Sequence, residues 1–87
     1  MNYTYRTKGV CSRKIQIELD DKGRIEGVFI EGGCHGNGQG ISALVKGQQA
    51  GDIIKRLTGI RCEGKPTSCP DQLAKALAQA LQELETI

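Results

Sequence analysis

The residues of this 87-residue chain that are best suited to chemistry are four cysteines and a single histidine. They are Cys11, Cys34, Cys62, Cys69 and His35. Thiolate and imidazole groups are the ligands that zinc and iron–sulfur clusters prefer in proteins. No two of the cysteines have the CxxC spacing of a zinc ribbon or a thioredoxin-like site, so their spacing alone does not identify the chemistry.

Their placement relative to the predicted strands is more informative. Strict alternation of apolar and polar residues over 14–20 predicts a strand, and a second strand over 24–31 follows a glycine-containing turn. A short strand over 2–6 completes an antiparallel meander. Because Cys11 precedes the first strand of the hairpin and Cys34 follows the second, we expect both to lie at one edge of the sheet.

Cys69 is the strongest single candidate for a reactive or metal-binding sulfur. Leucines and alanines recur at helical spacing from Leu73 to Leu84, which predicts an amphipathic helix. Pro70 suits the first position of this helix, which makes Cys69 the N-cap. A helix N-terminus stabilises a thiolate, although a cysteine at this position can also have no chemical role.

Cys62 and His35 are the two candidates for a fourth ligand. Cys62 can fold back towards Cys69 across the intervening loop, or it can be a buried apolar residue. His35 lies within residues 32–40, where five glycines predict a loop. We expect this loop to let the backbone pass close to the cysteines, and a weaker alternative is an anion-binding loop at a helix start.

Two further helices are predicted from apolar spacing in 41–45 and 53–57, with Gly47 and Gly59 as their ends. The predicted fold is therefore α+β, with a three-stranded antiparallel meander followed by two or three helices packed on one face of the sheet. The length predicts a single domain over residues 1–87.

Composition excludes several classes of partner. Twelve basic and ten acidic side chains are spread without a run, and one Phe and two Tyr offer little surface for stacking on bases, so we expect no nucleic-acid partner. Neither a membrane-spanning apolar segment nor a signal peptide is apparent, so we expect no membrane partner and a cytoplasmic location with reduced thiols. The remaining expectation is an unidentified protein partner, with a homodimer as one option.

The segment Thr67-Ser68-Cys69-Pro70-Asp71 is the signature of the TSCPD domain, and residues 32–37 and 44–47 extend the resemblance over nearly the whole chain. The chain resembles the small, stand-alone, four-cysteine members of that family. The same domain is similar to the C-terminal domain of adenosylcobalamin-dependent ribonucleotide reductases. That similarity implies an accessory role related to ribonucleotide reductase.

A more distant resemblance is to iron–sulfur scaffolds of the NifU/IscU type, in the order and approximate spacing of Cys11, Cys34 and Cys69. It implies a NifU/IscU-like fold in which these three cysteines gather at one end and bind zinc or a nascent cluster. Cys62 and His35 are then available to complete the ligand set. The scaffolds carry a histidine immediately before the third cysteine, where this chain has a serine.

Three functions are consistent with these residues. The leading hypothesis is a metal-binding module in which Cys11, Cys34 and Cys69 hold zinc or an iron–sulfur cluster, with Cys62 or His35 completing the ligand set. The alternative is a thiol redox accessory domain in which Cys62 and Cys69 exchange between dithiol and disulfide. The third is an interaction domain whose cysteines only fill the core. The chain has no room for a radical-bearing barrel, so we do not expect it to be an enzyme on its own.

Overall fold

The computed structural model describes residues 1–7, 12–32, 35–61 and 67–85. Its elements are β1 (Asn2–Arg6), β2 (Ser12–Leu19), β3 (Ile25–Gly32), α1 (His35–Val45), α2 (Ala50–Leu57) and α3 (Cys69–Glu85). The strands pair antiparallel in the order β1-β2-β3. The predicted α+β architecture, a meander followed by helices, is confirmed.

The sheet has one apolar face, which β2 supplies by strict alternation. The buried residues of β2 are Ile15, Ile17 and Leu19. In β3 the alternation is interrupted, because Leu19 pairs with Ile25 whereas Glu18 pairs with Gly27. Glu26 is therefore an extra residue, a β-bulge that lets Ile25 share the buried face.

Helix α3 covers this apolar face. Its buried apolar residues are Leu73, Ala74, Ala76, Leu77 and Ala80. Tyr3 of β1 donates a hydrogen bond to Gln79 Oε1 at 2.7 Å. At Gly23, in the turn after β2, φ is +78° and a Cβ would lie 3.0 Å from Leu81 Cδ2, so this position needs glycine. These two contacts show that α3 runs in the same direction as β2, with its C-terminal half near the hairpin turn.

The opposite face of the sheet is exposed, as Gln16, Glu18 and Phe29 show. The helices therefore pack on one face, as the sequence predicts. Among the described residues, no helix is both long enough and apolar enough to cross a membrane.

The glycine-rich segment 32–40 differs from its prediction. The sequence predicts a loop there, and this prediction is wrong, because α1 begins at His35 and continues through the glycines. Helix α1 packs against β3 at Gly38, where a Cβ would be in ordinary van der Waals contact, 3.6 Å from Ile30 Cβ. Packing against the sheet thus outweighs the low helix propensity of glycine.

The ends of α1 and α2 agree with the sequence. Gly47 and Gly59 follow the two helices with φ of +83° and +88°. The Gly47 N–H donates to the Ile25 carbonyl at 2.7 Å, and the Ile25 N–H donates to the Gln48 carbonyl at 2.8 Å. The connection between α1 and α2 is therefore bonded to the beginning of β3. Leu44, one of the apolar residues that predict α1, is exposed.

Candidate functional site

Helix α3 begins with a serine cap. Ser68 Oγ accepts a hydrogen bond from the Asp71 N–H at 3.2 Å, and the Ser68 carbonyl accepts one from the Gln72 N–H at 2.8 Å. These bonds make Ser68 the N-cap and Cys69 the first helical residue. The prediction of Cys69 as N-cap is therefore wrong by one position. A hydroxyl oxygen is a better acceptor for a backbone N–H than a thiol is, which explains the shift.

Asp71 is the centre of a polar network around this cap. Its carboxylate accepts hydrogen bonds from the Thr67 hydroxyl at 2.5 Å and from the Gly59 N–H at 2.7 Å. Lys75 Nζ lies 3.7 Å from the same carboxylate. The Thr67 hydroxyl first, and then the Gly59 N–H, lower the pKa of Asp71. The ionised carboxylate therefore connects the segment after α2 to the first turn of α3.

The rest of the network is closed and buried. Gln72 Nε2 donates to Thr67 Oγ1 at 3.1 Å, and Ser68 Oγ donates to the Ile60 carbonyl at 2.5 Å. Thr67, Ser68, Asp71 and Gln72 are all buried, and no buried side-chain nitrogen or oxygen in the described part of the chain lacks a partner. Three residues of the signature segment, Thr67, Ser68 and Asp71, therefore stabilise the fold.

Of the predicted ligands, Cys69 is the one whose side chain the structure describes, and it is partly exposed. Cys11, Cys34 and Cys62 lie outside the described residues. His35 is the first residue of α1, and the structure describes its backbone but not its side chain. Among the described side chains, no three His, Cys, Asp or Glu residues form a group that could hold a metal ion. The five-residue ligand set stays a prediction.

The elements that flank two of these cysteines meet at one end of the sheet. Ser12, which follows Cys11 in sequence, pairs with Gly32, which lies two residues before Cys34. This pairing agrees with the expectation that the hairpin brings its first and last residues to one edge. Helix α1 begins at His35, three residues after Gly32, so its N-terminus is also at this end.

Helix α3 begins at the same end. Gln79 is bonded to Tyr3, whose partner on β2 is Ile17. From Gln79 back to Cys69 the helix covers about 15 Å, and from Ile17 back to Ser12 the strand covers about 17 Å. Measured along the strands, the start of α3 is therefore level with the start of β2. We call this end of the molecule, with Ser12, Gly32, His35 and Cys69, the helix-start end.

The helix-start end has an electrostatic character that suits anions. The N-termini of both α1 and α3 lie there, and each carries the positive end of a helix dipole. The acidic residues described nearby already have partners: Glu31 lies 3.6 Å from Lys14 Nζ, and Asp71 is held in the cap network. This end can therefore stabilise an additional negative charge such as a thiolate.

The sequence contains a local signal for the serine cap. Ser68 is followed three residues later by Asp71, which is close to the capping-box pattern of a small hydroxyl residue followed by an acidic one. That spacing predicts the serine as the N-cap. Gly59 carries no comparable signal, because its hydrogen bond to Asp71 joins two separate segments of the chain.

Comparison with known proteins identifies the family. No curated protein and no solved structure matches the chain significantly. The family model of the TSCPD domain matches residues 2–81, from β1 into the second half of α3. The matched region includes the cap network and every cysteine of the chain. The chain therefore belongs to the TSCPD domain family.

Proposed function

We propose that this protein is a cytoplasmic, non-catalytic metal-binding module that holds zinc or an iron–sulfur cluster at the helix-start end and serves a protein partner. The proposed ligands are Cys11, Cys34 and Cys69, with Cys62 or His35 as the fourth. The observation that carries the proposal is the common position of three element ends: Ser12 pairs with Gly32, and α3 begins level with them.

The electrostatics of this end support a sulfur-rich site. A metal bound by three or four thiolates carries excess negative charge, which two helix N-termini stabilise. The described carboxylates at this end, Glu31 and Asp71, are engaged with Lys14 and with the cap. An oxygen-rich site for magnesium or calcium is therefore disfavoured relative to a thiolate site for zinc or iron.

Cys69 has the support that a metal ligand needs. It is partly exposed, and the residues on both sides of it are fixed by the buried hydrogen bonds of Ser68 and Asp71. A ligand on a rigid helix start loses little conformational freedom on binding a metal.

Metal analysis and absorption spectroscopy of anaerobically purified protein test the proposal. We expect stoichiometric zinc, or iron and sulfide with absorption in the visible range. Replacement of Cys11, Cys34 or Cys69 by serine should abolish binding, because each removes a thiolate from the ligand set. Cys62→Ser and His35→Ala identify the fourth ligand, since one of them should lose the metal and the other should keep it.

Ser68→Ala is the matched control for Cys69→Ser. It weakens the start of α3 by about 1 kcal/mol and leaves every candidate ligand in place. We expect it to retain the metal. Absence of zinc and iron from the wild-type protein under all growth conditions, or equal metal loss in Ser68→Ala and Cys69→Ser, would overturn the proposal.

The partial exposure of Cys69 favours a second candidate, a reversible disulfide between Cys62 and Cys69. Its formation releases two protons and passes two electrons to an oxidant such as a partner disulfide. Cys62→Ser should then abolish the redox couple, whereas Cys11→Ser and Cys34→Ser should leave it intact. The metal-binding module predicts that Cys11 and Cys34 are essential, so the two functions are distinguishable.

A further inference from the structure

The two halves of α1 are stabilised unequally. In the C-terminal half, Val45 is buried and Ile41 packs against the core. In the N-terminal half, Gly36, Gln39 and Gly40 are exposed. Gly38 lies against Ile30 of the sheet, and it has no side chain to bury. The N-terminal half of α1 therefore gains little from the hydrophobic effect.

Two of its glycines also lower the stability of the helix without a packing reason. In the described part of the chain, no atom would lie within 4 Å of a Cβ at Gly36 or Gly40, and neither residue has a positive φ. Alanine would fit at both positions and is a much better helix former than glycine. The sequence thus keeps this half of α1 weak where the structure does not require glycine.

The first turn of α1 has no acidic residue to complement its dipole. Residues 36–45 include no charged side chain, and Lys46, which follows the last residue of α1, lies at the opposite end of the helix. The neighbouring residue in sequence is Cys34, one of the proposed ligands, followed by His35. A metal bound to Cys34 would anchor the end of α1 that has no apolar side chain to bury.

We propose that residues 35–40 form an order–disorder element whose helical state is stabilised by metal binding at the helix-start end. This inference rests on the proposed function and adds its regulation. A metal that binds the helical state preferentially shifts the equilibrium towards it. In turn, the apparent metal affinity equals the affinity of the helical state multiplied by the fraction of molecules in which the element is helical. The weak half of α1 therefore limits metal affinity and favours release to a partner.

Hydrogen exchange and zinc titration of the full-length protein test this coupling. Without metal, amides of residues 37–41 should exchange faster than those of the middle of α3, and zinc should slow them. Gly36→Ala and Gly40→Ala should each slow exchange in the metal-free protein and raise zinc affinity by up to about fivefold, because each removes most of the ordering cost of one glycine. Affinity is measured by competition with a chromophoric chelator.

Gly51→Ala in α2 is the matched control. Gly51 is also an exposed helical glycine, and a Cβ there would meet nothing within 4 Å. The substitution should leave zinc affinity unchanged because it does not act on α1. If zinc binds but residues 37–41 are protected without it, or if Gly36→Ala and Gly40→Ala leave affinity unchanged, the coupling is wrong and the proposed function stands. If neither zinc nor iron binds, both proposals fail.

Discussion

Helices α1 and α3 begin at the same end of the molecule, and their first turns are built in opposite ways. The first turn of α3 follows a serine cap and contains Asp71, whose buried carboxylate has three partners. The first turn of α1 contains Gly36 and Gly38 and has no acidic residue. One helix start is fixed by hydrogen bonds that reach other parts of the chain, and the other depends mainly on contact with β3.

The two helix starts would therefore contribute differently to the proposed metal site. A preorganised side presents Cys69 at a fixed position, which reduces the entropy lost on binding. On the proposed adaptable side, next to Cys34 in sequence, the start of α1 would become ordered when a metal binds and would loosen when the metal leaves. Substitutions that act on one helix start and not on the other therefore test this contrast.

The largest effect is expected from Asp71→Ala. It removes the acceptor of the Thr67 hydroxyl and of the Gly59 N–H, and it leaves polar groups in a buried region without partners. The free energy of unfolding should fall by about 2–3 kcal/mol. Urea denaturation measures this change.

Asp52→Ala is the control for that experiment. Asp52 occupies the first turn of α2 and is exposed, so its loss should change the free energy of unfolding by less than about 0.5 kcal/mol. Equal losses in the two variants would mean that the cap network around Asp71 contributes no more than an ordinary helix-dipole interaction.

A matched pair of serine substitutions has the next largest effect. Ser68→Ala should cost about 1 kcal/mol, because Ser68 caps α3 and also donates to the Ile60 carbonyl. Ser42 of α1 donates to the Gly38 carbonyl within its own helix at 2.8 Å. Ser42→Ala should change stability by less than about 0.5 kcal/mol, since alanine is the better helix former. Thermal unfolding of both variants makes the comparison, and an equal cost would contradict the contrast between the two helices.

The elements with strong local patterns were predictable. Alternation placed Ile15, Ile17 and Leu19 on one buried face because successive side chains of a strand point to opposite sides. The buried stripe of α3 followed from helical spacing in the same way. The bulge at Glu26 did not, because it depends on the register between two strands and not on either strand alone.

The two helix starts show where local reasoning failed. Glycine content predicted a loop before residue 41, but Gly38 packs on Ile30 of β3, and that contact is not encoded in neighbouring residues. Pro70 indicated the start of α3 but did not distinguish between positions one residue apart, and the hydroxyl of Ser68 decided the cap. The ligand role of Cys11, Cys34 and Cys62 stays a prediction, since these residues lie outside the described part of the chain.

The smallest effect that we expect is a change in the free energy of unfolding at acid pH, which tests the charge state of Asp71 in the α3 cap. The pKa of Asp71 is lowered by the Thr67 hydroxyl and then by the Gly59 N–H, so folding favours the ionised carboxylate. Its stabilisation is complete above the unfolded pKa, about 4, and is lost as the pH falls through the lower folded pKa. The pKa of Asp20 in the hairpin turn is also lowered, chiefly because its carboxylate accepts a hydrogen bond from the Arg24 N–H. Asp20 therefore contributes to the pH dependence of stability in the same direction as Asp71.

The substitution Asp71→Asn separates the contribution of Asp71 to the acid dependence from that of Asp20. The amide oxygen can still accept from the Gly59 N–H, but the amide nitrogen cannot accept from the Thr67 hydroxyl, so the variant should be less stable at pH 6. Between pH 6 and about pH 3 it should lose less free energy of unfolding than the wild type, because one titrating group is gone. Asp20→Asn should also reduce the acid dependence, because the pKa of Asp20 is lowered in the folded protein. If Asp71→Asn has the wild-type acid dependence, the α3 cap does not hold an ionised carboxylate. The start of α3 would then be stabilised by neutral hydrogen bonds alone.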